Sequence, residues 1–158
     1  MTTAIGTSNI HVNTTRFGEV DVQQDLVITL PEGIIGFEDC TRYVVLQIDY
    51  NSQFKWLQCL DDGSVAFPII DPWQFRPDYA PEISDMDALF LKMDERSERL
   101  VFVIVTVPRN NPHAMTANLL GPIIINPLTS QGKQVIVTNE QYGTRHGIMD
   151  EMARAGLS

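Results

Sequence analysis

The sequence predicts a mainly β protein, a small closed or nearly closed antiparallel β-barrel with one short helix. Short apolar runs recur along the 158 residues, and residues that favour turns separate them. No crossover helices lie between these runs, which argues against a parallel sheet. The length suits a single domain, 1–158, with residues 1–12 and 149–158 expected to be frayed ends.

Six strands are predicted in the first half of the chain. Gly18 separates the first two, Pro31 ends the third, and the polar stretch 49–53 separates the fourth from the fifth. Pro68 interrupts the sixth run, which favours an edge strand or a bulge. The six ranges are 10–17, 19–22, 26–30, 42–48, 54–60 and 66–70.

A loop and a helix are predicted next. Residues 68–81 contain four prolines, which make the segment too kinked for a long strand or helix, so we expect an ordered loop over one barrel end. Ser84 can cap the following helix, and Asp85 and Asp87 favour the positive end of its dipole. The expected apolar stripe of this helix consists of Met86, Leu89, Phe90 and Met93.

Three further strands complete the prediction. Residues 100–107 are continuously apolar and rich in β-branched side chains, which predicts a central strand buried on both faces. The runs 119–126 and 133–137 flank turn-forming residues at a separation typical of a hairpin. The tail 149–158 is expected to form a frayed helical turn or no regular structure.

The charge is unevenly distributed. The net charge is −9, and the window from Asp61 to Glu95 holds nine carboxylates against only Arg76 and Lys92, so it carries −7. Such a surface repels nucleic acid and attracts a basic protein. The alternative interpretation is that acidic loops simply keep a small domain soluble.

Composition predicts a cytoplasmic protein that does not cross a membrane. The first ten residues lack the basic and apolar regions of a secretory signal, and the longest apolar run, 100–108, is far shorter than a membrane helix. Cys40 and Cys59 form no CxxC pair, so we expect two small buried apolar residues.

The sequence contains no recognisable catalytic, metal-binding or cofactor-binding motif. The three histidines, His11, His113 and His146, share no metal-ligand spacing with each other or with a cysteine. Gly132-Lys133 lacks the other residues of a phosphate-binding loop. The sequence therefore predicts a protein that is not an enzyme and holds neither cofactor nor metal.

Several motifs occur together along the chain. They are TRFGEVDV at 15–22, LPEGIIGFEDC at 30–40, WLQCLDDGSVAFPIIDPWQFRPDYAPEISDMD at 56–87, LVFVIVTVP at 100–108, TANLLGPIIINPLTSQGKQVIV at 116–137 and YGTRHGI at 142–148. In type, order and spacing they resemble the FliW family of flagellar assembly factors. Gly121 and Gly147 depart from the Ala and Pro expected at those positions, which leaves the expected fold intact but alters the local surface.

The resemblance implies a function and two protein partners. FliW-type proteins bind newly made flagellin in the cytoplasm, and they also bind the translational repressor CsrA and hold it off its messenger RNA. Accumulating flagellin takes the factor away, so CsrA returns to repress flagellin synthesis. Direct contact with nucleic acid is not expected. The competing hypotheses are a small β-barrel enzyme or cofactor-binding or ligand-binding domain, including a carbohydrate-binding module.

The best binding candidates are aromatic and acidic residues around the proline-rich loop. Large rigid rings supply contact area and nearby carboxylates supply steering, although the rings of Trp73 and Phe75 equally suit a core that closes the barrel end. Asn118 and Arg145 are added because they are polar residues in family-like motifs. The proposed partner-binding residues are Asp61, Asp62, Phe67, Asp71, Trp73, Phe75, Asp78, Tyr79, Asn118 and Arg145.

Overall fold

The computed structural model describes residues 9–157, which contain eleven strands, two α-helices and three short 3-10 helices. The strands are β1 (Asn9–Thr14), β2 (Gly18–Gln23), β3 (Ile28–Thr29), β4 (Arg42–Leu46), β5 (Phe54–Cys59), β6 (Ala66–Ile70), β7 (Leu100–Thr106), β8 (Thr116–Ala117), β9 (Ile123–Asn126), β10 (Gln131–Gln134) and β11 (His146–Gly147). The helices are α1 (Asp85–Leu91) and α2 (Ile148–Arg154), and the 3-10 helices span Gln24–Leu26, Pro72–Gln74 and Pro112–Ala114.

Seven of the strands close into a barrel. The order around the ring is β7-β6-β5-β4-β3-β10-β9, and β9 pairs with β7 to close it through Leu100↔Ile125 and the next two residue pairs. All pairings in the ring are antiparallel except the single parallel bridge between β3 and β10. β8 and β11 extend the sheet beside β7, whereas β1 and β2 form a separate hairpin. The predicted closed β-barrel is confirmed.

The central strand β7 packs against a core cluster on each face. Val101, Val103 and Val105 are buried in one cluster, and Phe102 and Ile104, which are half-buried, pack against the other. The prediction of burial on both faces is therefore confirmed for the middle of the strand, whereas its ends, Leu100 and Thr106, are exposed. Successive side chains of a strand point to opposite faces of the sheet, so each set meets a different cluster.

The predicted hairpin is present with shifted limits. β9 and β10 pair through Gln131↔Asn126, and Ser130 in the intervening turn has a φ of +58°. Gly132 lies in β10, where an added Cβ would be 2.9 Å from the carbonyl oxygen of Ile124. Only glycine fits this approach. β10 begins two residues before the predicted run 133–137 and ends three residues before it does.

Pro68 lies in β6, an inner strand between β5 and β7 that pairs with β5 in continuous register, so the prediction of an edge strand or a bulge was wrong. It pairs with Trp56 of β5, but β6 pairs with β7 only from Ile69 onward. The missing N–H of Pro68 therefore interrupts no bond between β6 and β7.

Helix α1 begins as predicted, but its buried face differs. The Ser84 hydroxyl accepts a hydrogen bond from the Asp87 N–H at 3.1 Å. Met86 and Leu89 are 82% and 79% exposed, so their assignment to the buried stripe was wrong. Leu91 is the buried residue of this helix and packs in the core, where Phe90 and Met93 of the predicted stripe also pack. The Asn126 side chain donates to the Leu91 carbonyl oxygen at 2.8 Å.

The C-terminal segment forms a second helix, so the expectation of one helix and a frayed tail was wrong. In α2, Ile148 and Glu151 are buried, and these contacts stabilise a helix that its sequence alone does not predict. At the other end, residues 9–12 lie in β1 and pair with β2 instead of fraying. Residues 1–8 and 158 lie outside the described part of the chain.

The buried apolar residues form two large clusters, which meet opposite faces of β7, and a smaller one that joins the β1–β2 hairpin to β4. Cys40 and Cys59 are both buried and free, as predicted, in the cluster that also holds Leu30, Tyr43 and Leu57. Burial raises the pKa of the Cys40 thiol to about 12. Neither α1 nor α2, nor any other helix within residues 9–157, has the length and apolarity needed to cross a membrane.

Candidate protein-binding surfaces

The ten residues proposed from the sequence lie in three places. Asp61 and Asp62 form the turn that follows β5, and Asp71 to Tyr79 form the loop that follows β6. The other three line one groove: Phe67, Asn118 and Arg145.

Asp61, the first carboxylate of the turn after β5, forms hydrogen bonds within the protein. Asp61 accepts hydrogen bonds from the N–H groups of Thr41 and Arg42, at 3.0 and 2.9 Å, and from the Arg42 guanidinium at 2.9 Å. Burial raises the pKa of Asp61, but these three hydrogen bonds outweigh it and hold the pKa below its usual value. Asp61 therefore fixes the start of β4 and has little capacity left for a partner.

The neighbouring carboxylate is more accessible. Asp62 is exposed and accepts from the hydroxyl and N–H of Ser64 at 2.7 and 3.0 Å. The Ser64 hydroxyl and then its N–H lower the pKa of Asp62. Asp62 thus presents a negative charge to solvent from a fixed turn.

Trp73 is the exposed aromatic residue of the loop after β6. Asp71 caps the short helix that carries it, accepting from the Trp73 N–H at 2.9 Å. The indole N–H donates to the carbonyl oxygen of Tyr79 at 2.9 Å, and the side chain remains 40% exposed. The loop therefore holds a large ring at the surface in one orientation.

The other two aromatics of the loop belong to the core. Phe75 and Tyr79 are buried, and the Tyr79 hydroxyl donates to the carbonyl oxygen of Leu119 at 2.7 Å. The ring of Tyr79 meets that of Tyr142 edge to face at 4.7 Å. Neither Phe75 nor Tyr79 presents surface to a partner. The assignment of these two residues to a partner-binding surface is therefore corrected: they pack in the core and support the loop.

Arg76 ties the loop to the C-terminal helix. Its guanidinium lies 2.7 Å from the carboxylate of Asp78 and 3.1 Å from that of Glu151, and it stacks over the ring of Tyr142. Asp78 is exposed, whereas Glu151 is buried. The acidic end of the loop is thus held in place by α2.

Ion pairs with basic residues neutralise part of the acidic window from Asp61 to Glu95. Of its carboxylates, Asp61, Asp78 and Asp87 form ion pairs, with Arg42, Arg76 and Lys133 respectively. Five other acidic residues of the window are exposed and have no ion pair in the described part of the chain: Asp62, Glu82, Asp85, Asp94 and Glu95.

Phe67, Asn118 and Arg145 meet in a groove of about 790 Å³ beside β7 and β8. The Asn118 side chain accepts from the Gly121 N–H at 2.9 Å, and the Gln134 side chain donates to the Gly121 carbonyl at 3.2 Å. A Cβ on Gly121 would lie 3.1 Å from the Asn118 amide nitrogen and 3.2 Å from that of Gln134. The glycine therefore keeps the floor of the groove open.

Sequence reasoning missed a second cleft that adjoins this groove. It has a volume of about 830 Å³, shares Phe67, Ile104 and Thr106 with the groove, and is lined by Arg16 and Arg109. The Arg16 guanidinium lies 4.5 Å from the centre of the Trp56 ring. Because these residues come from separate strands and loops, no local motif in the sequence signals the cleft.

The histidines and carboxylates of residues 9–157 include no cluster placed to hold a metal ion. His146 Nδ1 lies 2.9 Å from the Glu151 carboxylate, and its Nε2 accepts from the Gly143 N–H at 2.8 Å. Both ring nitrogens are therefore occupied in joining β11 to α2, and this histidine has a structural role.

The model of one protein family, described as FliW protein, matches residues 11–148. The chain belongs to the FliW family. Among the FliW relatives, a flagellar assembly factor of Alkaliphilus metalliredigens is 40% identical over 144 residues, which cover 90% of this chain and 88% of the relative. A flagellar assembly factor of Leptospira interrogans is 38% identical over 144 residues, which cover 91% and 96%.

A solved structure has a similar fold. A crystal structure of the flagellar assembly factor FliW superposes with a TM-score of 0.79 and 29% identity, and it covers 88% of this chain and 96% of that one. The family resemblance inferred from the sequence motifs is thereby confirmed. The FliW relatives are named as flagellar assembly factors and not as enzymes, in agreement with the expected absence of catalysis.

Proposed function

We propose that this FliW-family protein regulates flagellum assembly without catalysis. It binds flagellin in the cytoplasm and antagonises the translational repressor CsrA through direct protein–protein binding, which couples the level of flagellin to its translation. Family membership supports this function, since the relatives are named flagellar assembly factors. The local observation that carries it is the indole of Trp73, which is held at the surface by hydrogen bonds from the Trp73 backbone to Asp71 and from the indole N–H to the Tyr79 carbonyl oxygen.

The charge of the surface favours a basic partner for one of the two contacts. A repressor that occupies RNA needs a basic surface of its own, and the exposed carboxylates between Asp62 and Glu95 complement it. The same charges repel the phosphate backbone of RNA. The protein therefore antagonises CsrA without binding the messenger RNA itself.

The regulatory step requires negative coupling between the two partners. Either they share surface, or the binding of one lowers the affinity for the other by about 1–3 kcal/mol. Flagellin then displaces CsrA as its concentration rises, and CsrA returns to its RNA.

A displacement experiment tests the proposal. We expect that flagellin added to a preformed complex of this protein with CsrA releases CsrA in a dose-dependent manner, whereas an unrelated acidic protein at equal concentration does not. Linkage requires CsrA to weaken flagellin binding by the same factor. A stable ternary complex with undiminished affinities, measured by calorimetry, would overturn the proposed switch, and failure of either partner to bind would overturn the proposed function.

A further inference from the structure

The groove and its adjoining cleft differ in charge from the rest of the molecule. We call these two adjoining clefts, with Arg16, Arg109 and Arg145 at their walls, the arginine groove. The protein has 20 acidic residues against 11 basic ones, yet no Asp or Glu of the described chain lines either cleft. The side chains that line these two clefts therefore carry only positive charge, although the protein as a whole is acidic.

The three arginines are available to a partner. All three are exposed, and within residues 9–157 none of them forms an ion pair. Arg16 instead stacks on Trp56, which holds its guanidinium over the cleft. Guanidinium groups bind carboxylates through two parallel hydrogen bonds, so these arginines select for acidic groups.

The floor and rim of the arginine groove are apolar. Large apolar side chains remain exposed there: Ile35 is 65% exposed, Ile136 50% and Val107 47%. Contiguous apolar surface of this kind marks interaction sites on proteins. The occupant must therefore carry apolar side chains as well as negative charge.

The size of the arginine groove favours a polypeptide over a small molecule. Each cleft alone has about 790 or 830 Å³, which is already the volume of a pocket for a drug-sized ligand. Phe67, Ile104 and Thr106 belong to both clefts, so a bound chain can pass from one to the other. Lining residues on β5, β6, β7 and β8 belong to the sheet of the barrel, whereas the three arginines lie in loops. The strands make this part of the site preorganised, which lowers the cost of binding.

We propose that the arginine groove is a docking site for an amphipathic segment of a partner protein, with acidic side chains beside apolar ones. The apolar side chains contact Phe67, Ile35 and Ile136, while the carboxylates meet Arg16, Arg109 and Arg145. This is the helix-in-groove mode of peptide recognition, with charge complementarity at the rim. The sequence already proposed Phe67, Asn118 and Arg145 of this groove as partner-binding residues, but the groove is separate from the acidic loops on which the proposed function rests. It goes beyond that function because it takes a partner whose charge is opposite to the one that those loops favour.

Two synthetic peptides test the docking site directly. Each has about 18 residues, long enough for a helix of about 27 Å, with leucines at positions i, i+3, i+4 and i+7. One peptide carries Glu at the remaining positions and the other carries Lys. We expect fluorescence anisotropy of the labelled peptides to show binding of the Glu peptide only, and weaker binding as ionic strength rises from about 0.01 to about 0.1 M.

Matched variants locate the binding. Combined Arg16→Ala, Arg109→Ala and Arg145→Ala substitutions should weaken binding of the Glu peptide about tenfold or more and remove its salt dependence. The control combines Lys92→Ala, Arg96→Ala and Arg154→Ala, which removes three positive charges outside the groove and should leave the affinity unchanged. Equal losses in both triple variants would show a general charge effect and overturn the proposal.

Tryptophan fluorescence provides an independent readout. The protein has two tryptophans, so Trp73→Phe leaves only Trp56, whose ring lines the arginine groove. The Glu peptide should shift the emission of Trp56 in this background, and the shift should saturate at the concentration that saturates anisotropy. No binding of the Glu peptide, binding without a change at Trp56, or preferential binding of an oligothymidine strand would each overturn the proposal.

Discussion

The guanidinium of Arg76 lies 3.1 Å from the carboxylate of Glu151, and this ion pair joins the loop after β6 to the C-terminal helix. The Glu151 side chain is only 4% exposed, and His146 contacts the same carboxylate oxygen. A buried carboxylate is stable only when its partners remain in place. The C-terminal helix therefore fixes the geometry of a loop that lies 75 residues earlier in the chain.

Arg76→Ala should lower the free energy of unfolding by about 2–4 kcal/mol, because Glu151 loses its main charged partner. Asp78→Asn is the matched control, since it removes the exposed partner of the same arginine and should cost less than about 1 kcal/mol. Urea denaturation measures both. Equal small losses for the two variants would show that the buried ion pair contributes nothing to stability.

Asp61 should contribute an acid-sensitive part of the stability. Its pKa is lowered in the folded state, so its contribution is fully present above the unfolded pKa of about 3.9 and is lost as pH falls through the lower folded value. Asp61→Asn should therefore reduce stability at pH 7 and flatten the dependence on pH below about 4. Denaturation at several pH values tests this, and an unchanged acid slope in the variant would contradict it.

Sequence reasoning predicted the features that depend on neighbouring residues. Ser84 was recognised as a helix cap because the capping pattern is local, and the barrel followed from recurring short strands. In the predicted stripe on α1, Phe90 and Met93 do pack against the core, but Met86 and Leu89 were misassigned because the helix has only seven residues. The Asn126 side chain also bonds to the Leu91 carbonyl oxygen in the last turn of the helix. That bond spans 35 residues and leaves no local signal.

In the candidate sites, too, features that depend on residues far apart in sequence could not be predicted. The loop around Trp73 was found because its prolines, rings and carboxylates are adjacent in sequence. Burial of Phe75 and Tyr79 depends on packing against Leu119 and other distant residues, so composition did not separate them from Trp73. Arg16 and Arg109 were missed because only the closed barrel brings them to one groove.

Neutralising exposed acidic residues should slow association with CsrA. Asp62→Asn combined with Asp78→Asn should lower the association rate at low salt and flatten its dependence on ionic strength, because rim charges act mainly on encounter. Glu98→Gln is the control, an exposed carboxylate outside the acidic window. Stopped-flow kinetics measures the rates, and equal rates for wild type and the double variant would show that these charges only solvate the surface.

Trp73 should be a binding hot spot for at least one of flagellin and CsrA. Its ring is held by the bond from its N–H to the Tyr79 carbonyl, so little conformational freedom is lost on binding. Trp73→Ala should cost about 2 kcal/mol or more, about 30-fold in Kd, as for buried aromatic anchors elsewhere. Trp73→Phe keeps a ring but loses the hydrogen bond, so we expect an intermediate loss of affinity.

Leu128→Ala is the apolar control, because Leu128 is 92% exposed in the β9–β10 turn and belongs to neither binding surface. Wild-type affinity of Trp73→Ala for both partners, measured by calorimetry, would remove the loop from the proposed interface.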